Sequence, residues 1–462
     1  MSTTTYFTPD VPIPLRKGFL EIGLRDQFGA VWGMATNPIK SLSAYQFELP
    51  VFQYRLFGSH FTVVNDPDMI RYCFVENAKN YELEPIRQSI LRPILRDGLV
   101  SSDGDIWKRA RQSMAPIFTP RYIATLAEQM KIAVAKRLDD VFDINGGEPI
   151  ADKMSDLAYG VLSEVLFSRE LDEDATQTME TVSKFIERLG NVDPFDLLQL
   201  PSWIPRPTRL RGYKELGELR QQISMLISNR ISKREAGQDL PDDLLTRLIC
   251  VQDKDGSSKL NSDEIEDHML TFIIAGHEST ARSLSRILYL LSGDNIARSK
   301  VEEEIDNIDL SSPAKDWAEQ LTFTSACYNE ALRLFPPLPF VTRMAREDDR
   351  YKLSFIPKGG YLFLNLYALH RHKLLWDRPD SFMPERFLGD KKAARHKFQF
   401  LPFGVGHRIC IGGHFAMQEA LIILVMILKK YRFEYAVEKP ATPVMRISLK
   451  PNNGMPMRVT RR

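Results

Sequence analysis

The chain has 462 residues, of which 44% are hydrophobic and 26% are charged, proportions that are ordinary for a globular protein. Its 61 basic and 60 acidic residues almost cancel, which argues against a protein dedicated to binding nucleic acid. The four cysteines show neither a CxxC motif nor a regular spacing, so they support neither a disulfide framework nor a zinc site, and they favour a reducing compartment. No run approaches the roughly 18 apolar residues of a membrane-spanning helix, so we expect a cytoplasmic protein with no membrane anchor.

The first two thirds of the chain predict two short strands followed by helices. The segments VFQYRLFG (51–58) and FTVVNDP (61–67) have strand composition, and a helix is expected after the second of them. From about residue 105 to 335 the pattern is mainly helical. A proline-rich break interrupts it at 200–213, where Trp203 is expected to be exposed or part of a lid.

The last third predicts strands around a single helix. Strand-type alternation flanks a turn at 357–360, a coil stretch covers 370–409, a helix runs from about 412 to 430, and strand signals return after 440. We therefore predict one domain over residues 1–462, mainly α with a small β region (α+β). The β region would combine about 45–65, 340–370 and the C-terminal strands, and the helical part about 66–335 and 412–430.

The longest helical signal is SDEIEDHMLTFIIAGHESTARSLSRILYLLSG, residues 262–293, with Ser262 expected to cap its start and Gly293 its end. Its centre is apolar almost all round, as in a buried helix. Four residues depart from that pattern at the midpoint: Gly276, Glu278, Ser279 and Thr280. Because a buried carboxylate is costly unless partnered, this midpoint is a candidate site. Alternatively, Glu278 turns to solvent and Gly276 only permits close packing.

A loop near the C-terminus holds Cys410 among glycines. Residues 403–412 read FGVGHRICIG and fit the pattern F-G-x-G-x-R-x-C-x-G. Glycines let the backbone turn tightly and aim N–H groups at the sulfur, which stabilises the thiolate that binds iron. Six fixed positions match by chance on the order of once in 10⁵ sequences at average residue usage. The loop resembles the haem-binding loop of the cytochrome P450 family; the alternative is a buried structural thiol.

This resemblance implies the cytochrome P450 fold, with haem b as cofactor and Cys410 as the axial thiolate ligand of its iron. Trp107 and Arg111 match the W-x-x-x-R pair that binds a haem propionate in the family, although an amphipathic helix with a basic side is an alternative. The other residues implied to contact the haem are Arg343 and Arg408 at the propionates and, in the loop, Phe403, Gly404 and Gly412.

The segment NEALRLFPPLP carries Glu330 and Arg333 in an E-x-x-R pattern, and FMPERF supplies Arg386. Taken alone, a Glu–Arg pair at i, i+3 is usually a solvated helix face that contributes a few tenths of a kcal/mol. The resemblance instead implies a buried structural network of these three side chains that supports the loop behind the haem.

The resemblance also gives the helix midpoint a role. AGHEST is similar to the family's A-G-x-[DE]-T-[TS] segment above the haem. Gly276 would allow a local widening that admits O₂, and Glu278 with the hydroxyl at 279 would deliver protons. Here the chain has Ser279 where the family usually has Thr; a serine keeps the hydroxyl but lacks the methyl group that restricts its rotamers. Thr280 is a possible substitute, about 100° further round the helix.

The function implied is that of a haem-thiolate monooxygenase, which inserts one O₂-derived oxygen atom into an apolar organic substrate. The chain continues for 52 residues (462 − 410) past Cys410 without a flavin or iron–sulfur domain. We therefore expect a monomer that receives NAD(P)H electrons through a ferredoxin or flavodoxin and its reductase. The basic residues expected to dock this partner are Lys108, Arg109, Lys391, Lys392 and Arg395.

Three alternatives stay open on the sequence: a peroxygenase, an isomerase, and a non-catalytic haem-binding sensor. A zinc hydrolase is unsupported because no HxxxH spacing occurs, and His277, His407 and His414 are taken as packing or surface residues. The substrate itself is not predicted. The expected substrate-pocket positions are 81–100, 180–205, Phe272, Ala275, Leu338, Phe340, Ile447 and Ser448.

Overall fold

In the computed structural model of the chain, the described residues are 6–10, 37–56, 58–139, 141–142, 147–168, 170, 213–251, 260–445 and 448–462. Three sequence predictions lie outside them: the break at 200–213 with Trp203, apart from its last residue Tyr213, the pocket segment 180–205, and Ile447.

Helices make up most of the described residues. In chain order they are α1 (Tyr45–Glu48), α2 (Pro67–Arg71), α3 (Pro85–Leu95), α4 (Gly104–Met114), α5 (Pro120–Thr125), α6 (Ala127–Ala135), α7 (Ile150–Phe167), α8 (Tyr213–Glu235), α9 (Leu244–Cys250), α10 (Ser262–Gly293), α11 (Asn295–Asp306), α12 (Trp317–Gln320), α13 (Thr322–Leu334), α14 (Leu366–Leu369), α15 (Gly389–Ala394) and α16 (Gly413–Lys430).

Short strands complete the fold. They are β1 (Val51–Leu56), β2 (Ser59–Val64), β3 (Tyr81–Glu82), β4 (Gly147–Pro149), β5 (Phe340–Ala345), β6 (Asp349–Tyr351), β7 (Ser354–Ile356), β8 (Tyr361–Asn365), β9 (Tyr431–Tyr435), β10 (Pro443–Met445), β11 (Leu449–Pro451) and β12 (Pro456–Arg461). One sheet has the order β1-β2-β8-β5-β3 and another β4-β12-β9, while β6-β7 and β10-β11 form hairpins. In the first sheet β2 pairs with β8 in parallel orientation. These two strands come from opposite halves of the chain, so the sheet joins both halves. The α+β prediction is confirmed.

Helix α10 lies at the centre of the described residues and has the predicted bounds, Ser262–Gly293. It packs against α7 along much of its length and also contacts α8, α13 and α16. The predicted cap at Ser262 is wrong by one residue: Asn261 caps the helix, in a capping box with Glu264. The predicted C-cap is also displaced, because Gly293 is the last helical residue and Asp294 follows it in extended conformation.

Other local predictions differ in detail. The two N-terminal strands and the helix after them are present as β1, β2 and α2, and Asp66 caps α2 by accepting from the N–H of Asp68. The stretch 370–409 is not coil throughout, because it contains α15 and short 3₁₀ turns at Pro384–Phe387 and Gly406–Arg408. Helix α16 matches its prediction and is buried continuously from 419 to 428, which explains its apolar run. Within the described ranges, no helix is both long and apolar enough to span a membrane.

Candidate active site

The loop before α16 is shaped by its glycines. The N–H of Cys410 donates to the carbonyl of Phe403 at 2.8 Å, which folds the loop back on itself. Gly404 and Gly406 have φ of +78° and +73°, a region that disfavours other residues. At Gly406 a Cβ would lie 2.0 Å from the carbonyl oxygen of Phe74. Both this clash and the positive φ therefore disfavour any other residue at position 406. Gly412 has an ordinary φ of −85° and serves as the N-cap of α16.

Cys410 is exposed, yet neighbouring groups shift the pKa of its thiol. Burial raises the pKa of the Cys410 thiol, while the N–H of Gly412, donating to the sulfur, and the charge of Arg111 oppose that rise. The cysteine also precedes the N-terminus of the 18-residue helix α16, whose dipole favours a negative charge. The N–H of Gly412, the charge of Arg111 and the helix N-terminus all favour the thiolate form, so the setting of Cys410 suits a thiolate ligand.

The other three cysteines differ in setting. Cys73 and Cys327 are fully buried, and burial raises the pKa of Cys73 to about 12 and that of Cys327 well above its usual range. Cys250 is exposed at the end of α9. Within the described ranges, no group of three or more His, Cys, Asp or Glu side chains is arranged to hold a metal ion. A single thiolate ligand to an iron held mainly by a porphyrin is compatible with this donor set.

Beside the cysteine, three elements bring cationic side chains together. Trp107 of α4 lies under the guanidinium of Arg408, with the carbon 4.4 Å from the ring centroid, and meets His407 edge-on at 5.2 Å. Burial lowers the pKa of Arg111, one turn after Trp107, and the charge of nearby Cys410 partly offsets that lowering. Burial lowers the pKa of His407, and the nearby charge of Arg343 of β5 lowers it further. The structure therefore groups Trp107, Arg111, Arg343 and Arg408.

This cluster carries an excess of positive charge. Four arginines, Arg87, Arg111, Arg343 and Arg408, meet two carboxylates, Glu84 and Asp103. Arg343 is 5% exposed, donates to the carbonyl of Thr342 at 2.7 Å, and has its pKa lowered to about 10, mainly by burial. Arg408 donates to Asp103 at 2.6 Å and to the carbonyl of Ser102 at 2.9 Å. A planar cofactor with two carboxylates, such as haem, fits this edge, because it would balance the remaining charge.

The midpoint of α10 is more exposed than the turns around it, and this exposed side of the helix is called the cleft side. Ala275 is exposed, and Gly276, Glu278 and Ser279 are half-buried, although most of the helix around them is buried. The helix is continuous here, and a Cβ on Gly276 would lie 3.1 Å from Leu162 of α7. A side chain at position 276 would therefore crowd Leu162.

The two neighbouring hydroxyls point to different partners. Ser279 donates to the carbonyl of Ala275 at 2.9 Å and stays half-buried. Thr280 is buried and donates to Oε2 of Glu419 in α16 at 2.9 Å. Burial raises the pKa of Glu419 to about 8, and the bond from Thr280 only partly offsets it. The serine is therefore on the cleft side, while the threonine ties α10 to α16.

Glu278 does not turn to free solvent. Its Oε1 accepts from the hydroxyl of Ser448 at 2.7 Å and from Nη2 of Arg282 at 3.2 Å. Arg282 is not among the predicted site residues, although its i, i+4 spacing from Glu278 is a usable signal. Ser448 is predicted only as a pocket position, and Glu419 and Asp103 are not predicted, because no local pattern links them to their partners.

The E-x-x-R residues form a buried network behind the loop. Glu330 and Arg333 are each 0% exposed, and Nε of Arg333 donates to Glu330 at 2.6 Å. Nε of Arg386 also donates to Glu330, at 3.2 Å. Arg333 further donates to the carbonyl of His370, whose ring accepts from the N–H of Leu401 at 2.9 Å. Since Leu401 lies two residues before Phe403, the network reaches the base of the cysteine loop.

The expected pocket and docking positions are placed as follows. Phe272 is buried against Phe118, with ring centroids 5.1 Å apart, Phe340 packs on Phe363, and Leu338 is 41% exposed. Of the five basic residues, Arg109 pairs with Glu264 and Arg395 stacks on the rings of Phe387 and Phe400, while Lys108, Lys391 and Lys392 are exposed. His277 is buried with Nδ1 near the carbonyl of Ile273, and His414 is exposed.

Comparisons with known proteins identify the family of the chain. The sequence model of the cytochrome P450 family matches residues 27–457. The chain is 26% identical to Protein LUTEIN DEFICIENT 5, chloroplastic, of Arabidopsis thaliana, covering 93% of this chain and 76% of that protein. It is 27% identical to cyclooctatin synthase of Streptomyces melanosporofaciens, covering 86% of each.

Solved structures share the fold. The heme domain of cytochrome P450DA superposes with a TM-score of 0.79 at 22% identity, covering 99% of this chain and 98% of that one. The retinoic acid bound cyanobacterial CYP120A1 gives 0.77 at 20% identity, covering 99% and 100%. Because the family match spans nearly the whole chain and includes the cysteine loop, the chain belongs to the cytochrome P450 family of haem-thiolate monooxygenases.

Proposed function

We propose that the protein hydroxylates an apolar organic substrate within a single catalytic domain, with electrons supplied by a separate redox protein. The observation that carries this proposal is the position of Cys410, an accessible thiol at a helix N-terminus beside a cluster of arginines. When bound, haem b would supply the activation of O₂ and the transfer of one oxygen atom to carbon. The protein's own part is to hold this cofactor, exclude water and deliver protons.

The residues that would hold the haem act at two places. Cys410 would ligate its iron as a thiolate, which the N–H of Gly412 and the dipole of α16 favour. Arg343 and Arg408 with the Trp107–Arg111 pair would bind the propionates, since a guanidinium matches a carboxylate in shape and charge. Phe403, whose carbonyl accepts from Cys410, would shield the sulfur from water.

Proton delivery is assigned to Glu278 and Ser279. Both lie on the half-buried side of α10, where Ala275 is exposed to the cleft. Thr280 is less suited to this role because its side chain is buried against Glu419, whereas Ser279 is half-buried. A carboxylate that can exchange protons with water and a hydroxyl that can orient that water together form a short relay.

The proposed substrate is an apolar, isoprenoid-like compound. Phe118, Phe272, Ala275 and Phe340 give the expected pocket an apolar character. Two relatives support this class by name: carotene epsilon-monooxygenase of Arabidopsis thaliana, 25% identical, and cyclooctat-9-en-7-ol 5-monooxygenase of Streptomyces melanosporofaciens, 27% identical. Both names describe oxidation of largely hydrocarbon molecules.

For the redox partner we propose a ferredoxin or flavodoxin, reduced by NAD(P)H through a reductase. Lys108, Lys391 and Lys392 are exposed and would attract such an acidic protein. The monomeric state and the cytoplasmic location remain predictions.

The test is turnover with a reconstituted redox chain. The haem-loaded protein is first screened against terpenoids, fatty acids, steroids and aromatics for the low- to high-spin shift that reports binding. Compounds that bind are then incubated with NAD(P)H, a ferredoxin, its reductase and ¹⁸O₂, and we expect one labelled atom in the product. Product formed only with added peroxide would indicate a peroxygenase, an unoxygenated isomer would indicate an isomerase, and binding without turnover would indicate a sensor.

A further inference from the structure

We propose that Ser448 and Arg282 are positioning residues that hold the proposed proton donor Glu278, and that Ser448 thereby couples the pocket wall to proton delivery. This inference rests on the proposed function, because it assigns Glu278 to the proton path. It concerns residues outside the AGHEST segment, one of them 170 positions away along the chain.

Both contacts converge on one carboxylate oxygen. Oε1 of Glu278 accepts from the Ser448 hydroxyl at 2.7 Å and from Arg282 Nη2 at 3.2 Å, and the Glu278 and Arg282 side chains are 19% and 13% exposed. No hydrogen bond from the described residues reaches Oε2. Since two donors occupy Oε1, a proton carried by Glu278 would reside on Oε2. The pair thus fixes which oxygen can pass a proton to the cleft.

Ser448 is itself held firmly. Strands β10 and β11 pair antiparallel with Met445 opposite Leu449, so Ser448 lies at the end of this hairpin. The N–H of Leu449 donates to the carbonyl of Pro337 at 2.9 Å, and the N–H of Met445 donates to Asn37 at 3.0 Å. The hydroxyl therefore extends from a backbone anchored on both sides.

This anchoring links the donor to the substrate region. Pro337 immediately precedes Leu338 and lies close in sequence to Phe340, both expected pocket positions. A substrate that moves the 337–340 segment would move Leu449 with it, and through Ser448 it would move Glu278. Arg282, one turn further along α10, supplies the fixed part of the support because it belongs to the same helix as Glu278.

The experiment compares Ser448→Ala, Ser448→Thr and Arg282→Met in the haem-loaded protein. Ser292→Ala is the matched control, because that hydroxyl is also half-buried but donates to the carbonyl of Tyr289 in its own helix. Loss of a hydrogen bond to a charged group corresponds to about a tenfold shift in an equilibrium. We therefore expect Ser448→Ala to raise the ratio of hydrogen peroxide to product about tenfold. Ser448→Thr, which keeps the hydroxyl, should restore coupling, and Arg282→Met should act in the same direction as Ser448→Ala.

A second readout does not depend on turnover. Unfolding midpoints of wild type, Ser448→Ala, Glu278→Ala and the double variant form a thermodynamic cycle in which each single change removes the hydrogen bond, and a direct contact predicts that the two single effects are not additive. Additive midpoints, or a Ser448→Ala variant whose substrate dissociation constant changes while its coupling does not, would overturn the inference. Failure of wild type to form any oxygenated product would instead count against the proposed function. The unfolding midpoints would still test the contact between Ser448 and Glu278, because they do not require turnover.

Discussion

Glu419→Gln should remove a pH-dependent loss of stability that the wild-type protein carries. Glu419 is 1% exposed, its Oε1 has no hydrogen-bond partner among the described residues, and burial raises its pKa from 4.5 to about 8. Between those two values the folded protein binds a proton that the unfolded chain has released. The stability contributed by this proton is fully present below pH 4.5 and is lost as the pH rises through about 8.

The magnitude follows from the two pKa values. A difference of about 3.5 pH units corresponds to about 5 kcal/mol, at 1.36 kcal/mol per unit. An unfolding entropy of about 2.1 cal/mol/K per residue makes 1 kcal/mol equivalent to about 1 °C in this 462-residue chain. Glutamine keeps the shape and cannot ionise. Between pH 5 and pH 8.5 about 3 of the 3.5 pH units are crossed, so the midpoint of wild type relative to Glu419→Gln should fall by about 4 °C.

The assay is thermal unfolding of the haem-loaded protein, followed by circular dichroism in steps of pH. Glu303→Gln, on the exposed surface of α11, controls for the loss of a negative charge. Thr280→Val removes the donor that favours the ionised carboxylate, so it should move the transition to higher pH. A difference between wild type and Glu419→Gln that stays constant from pH 5 to pH 8.5 would refute the reasoning.

The other predictions concern the haem site. Cys410→Ala should lose the far red-shifted Soret band of the reduced carbon monoxide complex, whereas alanine at each of Cys73, Cys250 and Cys327 should leave it intact; a band of the histidine type in folded wild type would contradict the assignment. Glu330→Ala leaves Arg333 buried without its partner at a cost of roughly 3–5 kcal/mol, so little haem-loaded protein should be recovered, and normal haem content with unchanged melting would refute this. Ser279→Ala should keep substrate binding but divert NAD(P)H consumption to hydrogen peroxide, and Ser279→Thr should couple at least as well as wild type; if Thr280→Ala uncouples and Ser279→Ala does not, the relay hydroxyl belongs to Thr280.

Much of the architecture could be predicted from local sequence. The bounds of α10 and α16 follow from long apolar periodic segments, because helix formation depends on neighbours within one or two turns. The loop at Cys410 could be predicted equally well from the sequence, since glycines such as Gly404 and Gly406 are typical of backbone with positive φ. Boundaries were less certain: Asn261 rather than Ser262 caps α10, because both residue types can accept from the first turn.

The functional residues beyond these motifs depended on the tertiary structure. Adjacent helical residues are turned about 100° apart, so the packing of α10 against α16 decides that Thr280 meets Glu419 while Ser279 stays on the cleft side. The contact from Ser448 to Glu278 spans 170 positions, and no periodic pattern relates residues so far apart. The cysteine loop and the central helix can be predicted from the sequence alone, because both depend on short-range backbone geometry. The contacts of Thr280 with Glu419 and of Ser448 with Glu278 follow only from the tertiary structure, because they depend on how elements distant in sequence pack.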